Sequence, residues 1–256
     1  MAFIASRRAL LPSAWEPASL GSWAPTDLGA SLIAWWDAGS GVTESGGAVS
    51  AWADSVGALT VAQGTAGNKP TYSATSFRGA PGITFDGTDD YLSVASTGSL
   101  PSGGNACEIW ALVDQTALPA DTASRMIFGY GNTLGSGRRV LYRRVLTGAN
   151  QVRAEVGNGS TTTPINFTAT GNDFSGPNVA RIAIGASASV GQVNGGPQTA
   201  PVSVTPNTAT SITTIGISTA INLPFQGVIA AILVTGALTI DQAKYLTAYL
   251  TRRAFG

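Results

Sequence analysis

The chain has 256 residues, with 14 basic and 14 acidic side chains and no histidine. Because these charges cancel, no long-range field attracts nucleic acid or an anionic membrane, and neither partner is predicted. The lack of histidine and the single cysteine, Cys107, remove the commonest zinc ligand and general base and exclude an internal disulfide. Glycine at 32 residues, with only 11% charged residues, favours short strands joined by tight turns.

Residues 1–28 differ from the rest of the chain. They contain three prolines and the tryptophans Trp15 and Trp23, without helical or strand periodicity. Because a disordered linker rarely carries two tryptophans, we predict an arm that docks on its own domain or on a partner. The apolar run at 9–11 is too short for a signal-peptide core, so no export signal and no membrane insertion are predicted.

Residues 29–256 are predicted to form one β-domain. Short apolar or alternating segments are broken by Gly, Asn and Asp at the intervals of a sandwich or barrel. Asn194 and Gly195 predict a tight turn, because both residues tolerate a positive φ. The predicted strands are 31–37, 82–86, 90–95, 106–114, 124–130, 139–146, 150–156, 179–186, 189–194, 211–217 and 226–235.

The last predicted element is a helix over residues 239–253. Thr239 and Gln242 have the spacing of a capping box, in which each side chain binds the backbone amide of the other residue. The apolar residues that follow repeat at helical spacing: Ala243, Leu246, Tyr249 and Leu250. One short amphipathic helix packed on the strands is therefore expected.

Three stretches carry a resemblance to a known family. They are LIAWWDA at 32–38 with VSAWADS at 49–55 and NKPTY at 68–72, then GITFDGTDDYL at 82–92, and last FQGVIAAILV at 225–234 with the helix. In this order they resemble the concanavalin A-like lectin/glucanase superfamily, in particular laminin G-like jelly-roll domains of bacterial surface and phage virion proteins. The resemblance implies an all-β, two-sheet antiparallel jelly-roll sandwich over residues 31–255. It does not imply one function, because this superfold hosts lectins, hydrolases, adhesion modules and virion components.

The acidic residues Asp86, Asp89 and Asp90 follow an apolar strand. Asp86 and Gly87 predict a hairpin between this strand and the next, so shaping a turn is the favoured interpretation of the aspartates. Oxygen ligands close in sequence also suit calcium, which is the alternative, although the twelve-residue EF-hand pattern is absent. No other cofactor is predicted.

Carboxylate spacing argues against catalysis. Glycoside hydrolysis needs two carboxyl groups about 5 to 10 Å apart. The resemblance implies that hydrolases of this fold carry alternating acidic residues on one strand, whereas Glu108 and Glu155 each stand alone in their strands. The chain is therefore predicted not to be an enzyme.

Tryptophan and aspartate side chains are the candidate ligand-binding groups. Trp35 and Trp36 are neighbours on a predicted strand and must point to opposite faces. Core packing is the ordinary role of each ring, and stacking on a sugar is the alternative. Trp36, Asp86, Asp89 and Asp90 are the predicted ligand-binding residues.

Four arginines form the only basic cluster in the sequence: Arg138, Arg139, Arg143 and Arg144. A nucleic-acid site would need support from other basic patches, and the rest of the chain is neutral. We therefore predict a solvated strand pair, or one that forms salt bridges between subunits.

A virion protein reconciles these features. Laminin G-like domains usually work outside cells, whereas virion proteins fold in the cytoplasm and leave by lysis without an export signal. The leading hypothesis is a non-enzymatic phage structural protein, either a capsid decoration, a spike or a tail-fibre component. Such a protein would contact capsid or tail proteins, and its outward face is a candidate for binding host-surface glycan. The low charge density of the chain favours a homo-oligomer. The alternative is a bacterial carbohydrate-binding module without catalysis.

Overall fold

A computed structural model describes residues 21–115, 124–132, 137–146, 149–167, 176–185, 188–217 and 223–256. Within strands, the side chains of 142–146 and 149–150 are not described. The predictions of a docking arm and of a basic cluster therefore fall partly outside the described part of the chain, because that part does not include the side chains of Trp15, Arg143 and Arg144. No helix in the described ranges combines the length and the apolar character of a membrane span.

The described chain is built mostly of β-strands, with one C-terminal α-helix, and the all-β prediction is confirmed at this level. A short 3-10 helix, Pro25–Ser31, precedes the strands. The elements are β1 Leu32–Asp37, β2 Val42–Ser45, β3 Ala48–Ala53, β4 Thr60–Ala62, β5 Thr71–Phe77, β6 Ala80–Asp86, β7 Leu92–Val94, β8 Cys107–Gln115, β9 Ser124–Gly131, β10 Arg138–Leu146, β11 Ala149–Gly157, β12 Thr162–Phe167, β13 Gly176–Ile184, β14 Ser189–Val193, β15 Ile212–Ile215, β16 Gln226–Thr235 and α1 Ile240–Phe255.

The strands form one antiparallel path that curls on itself. Its order is β12-β11-β10-β9-β15-β7-β4-β3-β5-β6-β16-β8-β13-β14, with β1 added to β16 and β2 added to β3. The two ends of the path, β12 and β14, lie against each other, so the sheet is nearly closed. We call β5, β6, β16, β8, β13 and β14 the β8 half, and β12, β11, β10, β9, β15 and β7 the β10 half.

The main hydrophobic core lies between the two halves. Trp36 of β1 contacts Phe128 of β9, with the ring centroids 5.7 Å apart. Ile109 of β8 and Leu141 of β10 are fully buried in the same cluster. Because strand side chains alternate between faces, each half also has an outer face that points away from this core.

Helix α1 covers the outer face of the β8 half. Thr239 Oγ1 accepts from the backbone N–H of Gln242, and the Gln242 side chain accepts from the backbone N–H of Thr239, so the predicted capping box is confirmed. Ala243, Leu246 and Leu250 are buried in a second core cluster with Trp110 and Leu112 of β8.

The last residues of the predicted arm contact this helix. The Trp23 ring stacks on Tyr245 at 5.9 Å between centroids and meets Tyr249 edge-on at the same distance. Leu28, in the 3-10 helix, is buried in the cluster under α1. Residues 23–28 therefore pack on the domain that follows them.

The hairpin predicted at Asp86 and Gly87 is wrong. β6 pairs with β5 and β16, whereas β7 pairs with β4 and β15. Gly87 has a φ of 84° and makes a turn as expected, but the chain then crosses to the other half of the sheet. A turn sequence fixes the local bend, and longer-range pairing decides which strand the chain joins next.

Candidate functional site

The predicted stacking residue Trp36 has no exposed surface. Its ring is enclosed in the main core against Phe128. Trp52 and Trp110 are also fully buried, and the Trp110 ring lies 4.8 Å from the Arg181 guanidinium. A sugar could not stack on any of these three rings without unfolding the core around them. Trp35 points to the other face of β1 and is partly exposed.

The aspartate cluster is brought together at one turn. Asp86 Oδ1 accepts from the backbone N–H of Thr88 at 2.7 Å, and Asp90 Oδ2 accepts from the backbone N–H of Asp86 at 2.9 Å. Carboxylate oxygens of Asp86, Asp89 and Asp90 lie within 4.8 Å of one another. The cluster therefore shapes its turn, and its spacing also fits part of the oxygen shell that calcium takes.

Asp90 differs electrostatically from a surface carboxylate. Its burial raises its pKa to about 6, and the nearby charges of Asp86 and Asp89 add to this rise, whereas the backbone N–H of Asp86 opposes it. Near neutral pH the cluster carries like charges at close range, which disfavours its ionised form. A bound cation would remove that repulsion.

A second cluster lies on the outer face of the β10 half. The inward residues of these strands, including Leu141 and Ala154, belong to the main core, so Arg138, Arg153 and Glu155 point outward. Glu155 Oε2 pairs with Arg138, and Glu155 Oε1 pairs with Arg153 at 2.6 Å. The three side chains are only 14%, 19% and 11% exposed for Arg138, Arg153 and Glu155, so they form a recessed charged group.

The strand register shows what surrounds this charged group. Glu155 pairs across β11 and β12 with Pro164, and Arg153 pairs with Asn166. Pro164 and Asn166 are exposed. On the opposite side, Val140 is buried together with Met126 beneath Leu223. The outer face therefore has three parts. An apolar part is formed by Met126, Val140 and Leu223, the charged group follows it, and Pro164 and Asn166 form an exposed edge.

The basic cluster is divided between the two faces of β10. Arg138 joins the outer charged group, whereas Arg139 is fully buried on the inner face. The prediction of a solvated strand pair is therefore wrong for Arg139. The four-residue cluster in the sequence contains adjacent positions, and adjacent positions on a strand cannot share a face.

Arg139 is held by uncharged acceptors. Its Nη2 donates to the backbone oxygen of Asn105 at 2.6 Å and to that of Gly103 at 3.2 Å, and its Nε donates to Thr208 Oγ1 at 2.7 Å. Its Nη1 lies 2.7 Å from Cys107 Sγ. Burial raises the pKa of the Cys107 thiol, although the Arg139 charge opposes this rise. This arginine joins β10 to two loops and serves the fold.

Glu108 also pairs with an arginine. Its carboxylate accepts two hydrogen bonds from Arg181, at 2.9 and 3.0 Å, across β8 and β13. Glu108 shares its face of β8 with Trp110, in the cluster under α1, so it lies on the opposite side of the molecule from Glu155. The two glutamates do not form a carboxylate pair.

Two buried polar residues, Asp114 and Gln115, lie at the C-terminal end of strand β8. Gln115 is 1% exposed, and both its amide atoms lack a hydrogen-bond partner. In neighbouring Asp114, burial raises the pKa of the carboxyl, and the Arg78 charge opposes this rise. Sequence reasoning missed both residues, since a polar pair at a strand end usually indicates solvent.

Replacing Gln115 with methionine should raise the free energy of unfolding by about 1 kcal/mol, because it removes a buried amide without a partner and keeps the side-chain volume. Urea unfolding of the variant measures this change. The matched control, Gln226→Met on the adjacent strand, replaces a partly exposed side chain and should change the value by less than about 0.5 kcal/mol. A loss of stability in Gln115→Met would show that the amide has a partner.

Comparisons with known proteins show similarity of fold. No protein-family model and no curated protein sequence matches the chain. One similar structure is domain 4 of AbnA, a GH43 extracellular arabinanase from Geobacillus stearothermophilus, which was solved in complex with arabinotriose. Its sequence is 14% identical to this chain, and the TM-score is 0.57. The match covers 87% of this chain and 98% of that domain. An arabinofuranosidase complexed with arabinofuranosyl-α-1,2-xylobiose is 13% identical with a TM-score of 0.58, over 81% of this chain. This chain covers 51% of that arabinofuranosidase, about half its length.

A phage protein is also similar. The enzymatically active domain of tailspike protein 2 from bacteriophage CBA120 is 14% identical with a TM-score of 0.52, over 71% of this chain and 29% of that one. At these identities the similarity shows the fold alone.

The predicted laminin G-like, concanavalin A-like membership is wrong. The similar structures are glycosidase-type proteins, and no family model supports the narrower assignment. The motifs behind it consist largely of core and turn positions: Trp36, Trp52 and Phe85 are fully buried, and Asp86 shapes a turn. Such positions are required by many β-folds, so they do not identify one family.

The prediction that the chain is not an enzyme is also corrected. Arabinofuranosidases and an enzymatically active tailspike domain share this fold, so glycan degradation is compatible with it. The prediction relied on acidic residues alternating along one strand, a pattern that was taken from the family resemblance. Carboxyl groups can also converge from separate loops or strands, and sequence spacing does not reveal such a site.

Proposed function

We propose that this chain is a glycan-recognition domain of a phage or phage-like virion, and that the outer face of the β10 half holds its glycan site. One observation carries the proposal: the match to the arabinanase domain solved with arabinotriose spans nearly the whole of both chains. A match of this extent involves the complete domain rather than a shared strand pair.

The composition of the outer face supports this location. Sugars present hydroxyl groups that donate and accept hydrogen bonds, so their sites combine a few polar side chains with apolar surface. Arg153 and Glu155 supply the donors and acceptors, and Leu223 supplies apolar surface. Pro164 and Asn166 leave one side of the face open to a ligand.

Placement in a virion is supported by the similarity to the tailspike domain. A spike, tail-fibre or capsid-decoration subunit would be a homo-oligomer attached to capsid or tail proteins. In this proposal the two halves of the sheet act as the layers of a jelly-roll sandwich that displays the glycan site. Mass spectrometry of particles purified from a lysed culture should detect the chain; its absence there would favour the alternative, a bacterial carbohydrate-binding module.

The glycan site can be tested by blocking the outer face. Asn166→Trp places a large ring beside Arg153 and should weaken binding of any recognised glycan by about tenfold or more, which is about 1.4 kcal/mol. Ser45→Trp on the exposed strand β2 is the control and should bind as the unmodified chain does. Calorimetry against arabino-oligosaccharides and soluble bacterial polysaccharides measures both.

Two results would contradict the proposal. One is the absence of binding across the whole glycan panel, and the other is equal binding by Asn166→Trp. The same incubations should be assayed for reducing ends, since their release would add hydrolysis to recognition.

A further inference from the structure

The chain contains two Asn-Gly pairs, Asn158-Gly159 and Asn194-Gly195. In such a pair the backbone nitrogen of the glycine can attack the side-chain carbonyl carbon of the asparagine, because glycine has no Cβ to hinder the approach. The first pair lies at the turn between β11 and β12, and the second lies directly after β14. The hydrogen bonds around the two asparagines differ, so their reactivities should differ as well.

The Asn158 side chain is held in a reactive arrangement. Its Oδ1 accepts hydrogen bonds from the backbone N–H groups of Ser160 at 2.9 Å and Thr161 at 2.7 Å. Because both donors follow Gly159, these bonds curl the side chain forward over the glycine peptide. They also place two donors on the oxygen that becomes negatively charged when a nucleophile attacks, as in an oxyanion hole. Asn158 is exposed, so its amide nitrogen can leave into solvent.

The same turn favours glycine at position 159. Gly159 has a φ of 91°, in a region that residues with a side chain rarely adopt. A Cβ built on it would lie 2.8 Å from Asn207 Nδ2, and the backbone N–H of Asn207 donates to the Gly157 oxygen at 2.9 Å. The turn therefore favours the one residue type whose backbone nitrogen is unhindered by its own side chain.

Asn194 is held in the opposite way. Its Nδ2, which would have to leave, donates to Asn178 Oδ1 at 2.8 Å. Its Oδ1 accepts from the backbone N–H of Val179 at 2.7 Å, and its own backbone N–H donates to the Val179 oxygen at 2.9 Å. Asn178 and Val179 belong to β13, so both ends of the amide are fixed to a neighbouring strand. Attack by the Gly195 nitrogen would have to break these bonds.

We propose that Asn158 is a site of spontaneous covalent modification in the folded protein. The Gly159 nitrogen loses its proton to solvent and bonds to the side-chain carbonyl carbon of Asn158. The bond from that carbon to Nδ2 then breaks, and Nδ2 takes up a proton from solvent and leaves as ammonia, so that a succinimide ring remains. Water opens the ring at either carbonyl group and gives aspartate or isoaspartate. Each product adds a negative charge to the turn, and isoaspartate also lengthens the backbone there.

The test compares the two asparagines within one sample. The full chain is incubated at mildly alkaline pH, where a backbone amide loses its proton more readily, once folded and once unfolded in guanidinium chloride. Peptide mass spectrometry follows the replacement of the amide nitrogen by oxygen at each position. In the folded chain Asn158 should convert about tenfold or more faster than Asn194, because only Asn158 combines two oxyanion donors with an amide nitrogen open to solvent. In the unfolded chain, which lacks both arrangements, the two rates should be similar.

Asn158→Asp is the control variant. It has no amide to lose at this turn, and it should keep the melting temperature because its carboxylate can still accept from Ser160 and Thr161. Isoaspartate should accompany aspartate at position 158, since direct hydrolysis of the side chain would give aspartate alone. Equal rates at the two asparagines in the folded chain, a slower rate at Asn158 in the folded than in the unfolded chain, or aspartate without isoaspartate would each overturn the inference. None of these results bears on the proposed glycan recognition.

Discussion

Replacing Arg139 with methionine should lower the free energy of unfolding by about 3 to 5 kcal/mol, because it leaves several buried acceptors without a donor and each such loss costs about 1 to 3 kcal/mol. Arg139 is fully buried and donates to the backbone oxygens of Gly103 and Asn105 and to Thr208 Oγ1. Methionine fills much of the volume but leaves these acceptors without a donor. Urea unfolding followed by tryptophan fluorescence measures the loss.

Two further variants separate charge from geometry. Arg139→Lys keeps the charge but has a single nitrogen, which cannot reach acceptors on both loops, so it should recover only part of the stability. Arg252→Met, at an exposed helical position, should change the free energy of unfolding by less than about 0.5 kcal/mol. A loss below about 1 kcal/mol for Arg139→Met would contradict the enclosed network described above.

The second large effect concerns pH. In the presence of EDTA, the contribution of Asp90 to stability should fall by about 2 to 3 kcal/mol between pH 4 and pH 7, since each pKa unit is worth about 1.4 kcal/mol. Burial raises the pKa of Asp90 from its ordinary value of 3.8 to about 6 in the folded chain. The folded state therefore holds the proton more tightly, and stability that is present below pH 3.8 is lost as the pH rises through about 6.

Asp90→Asn should remove this part of the pH dependence, because the amide oxygen still accepts from Asp86 and carries no charge. Asp241→Asn, at an exposed position at the start of α1, is the matched carboxylate-to-amide control and should keep the part of the pH dependence that Asp90 causes. Adding calcium at pH 7 should raise the melting temperature if the three carboxylates hold the ion, and should have little effect at pH 4. A pH profile that is identical in Asp90→Asn would show that the buried carboxyl does not titrate as described.

Periodic and local signals were enough to predict much of the fold. Strand β16, Gln226–Thr235, matches its prediction at both ends because it is a long apolar run, and α1 begins where the Thr239 cap predicts. The turn at Asn194 and Gly195 has the expected positive φ at both residues. Each of these signals depends on residues close together in the sequence.

The strands that were not predicted are β2, β3, β4, β5 and β12, and three of them lack such signals. β2 is largely exposed, and β5 alternates irregularly because its register with β6 shifts between Ser73 and Phe77. β12 contains Pro164, which argues against an interior strand and is tolerated here because β12 ends the sheet path. Their strand character comes from pairing with β3, β6 and β11, the neighbouring strands in the sequence, rather than from a periodic pattern of their own side chains.

The outer charged group was missed because it also depends on how two strands pair. Arg138 and Glu155 are 17 residues apart, and they meet only because β10 and β11 pair in one register. A shift of one residue would move Glu155 into the core. Sequence inspection therefore found both residues but assigned neither to a site.

Pro164 has a further consequence for how copies of this protein can associate. An unpaired edge strand can serve as a template on which another chain adds a strand, which leads to fibrous aggregation. Proline has no backbone N–H to offer such a strand, and β12 also lies against β14 at the other end of the path. This edge is a poor template for strand addition, so at β12 copies packed at high density would meet through side-chain surfaces rather than by extending one another's sheets.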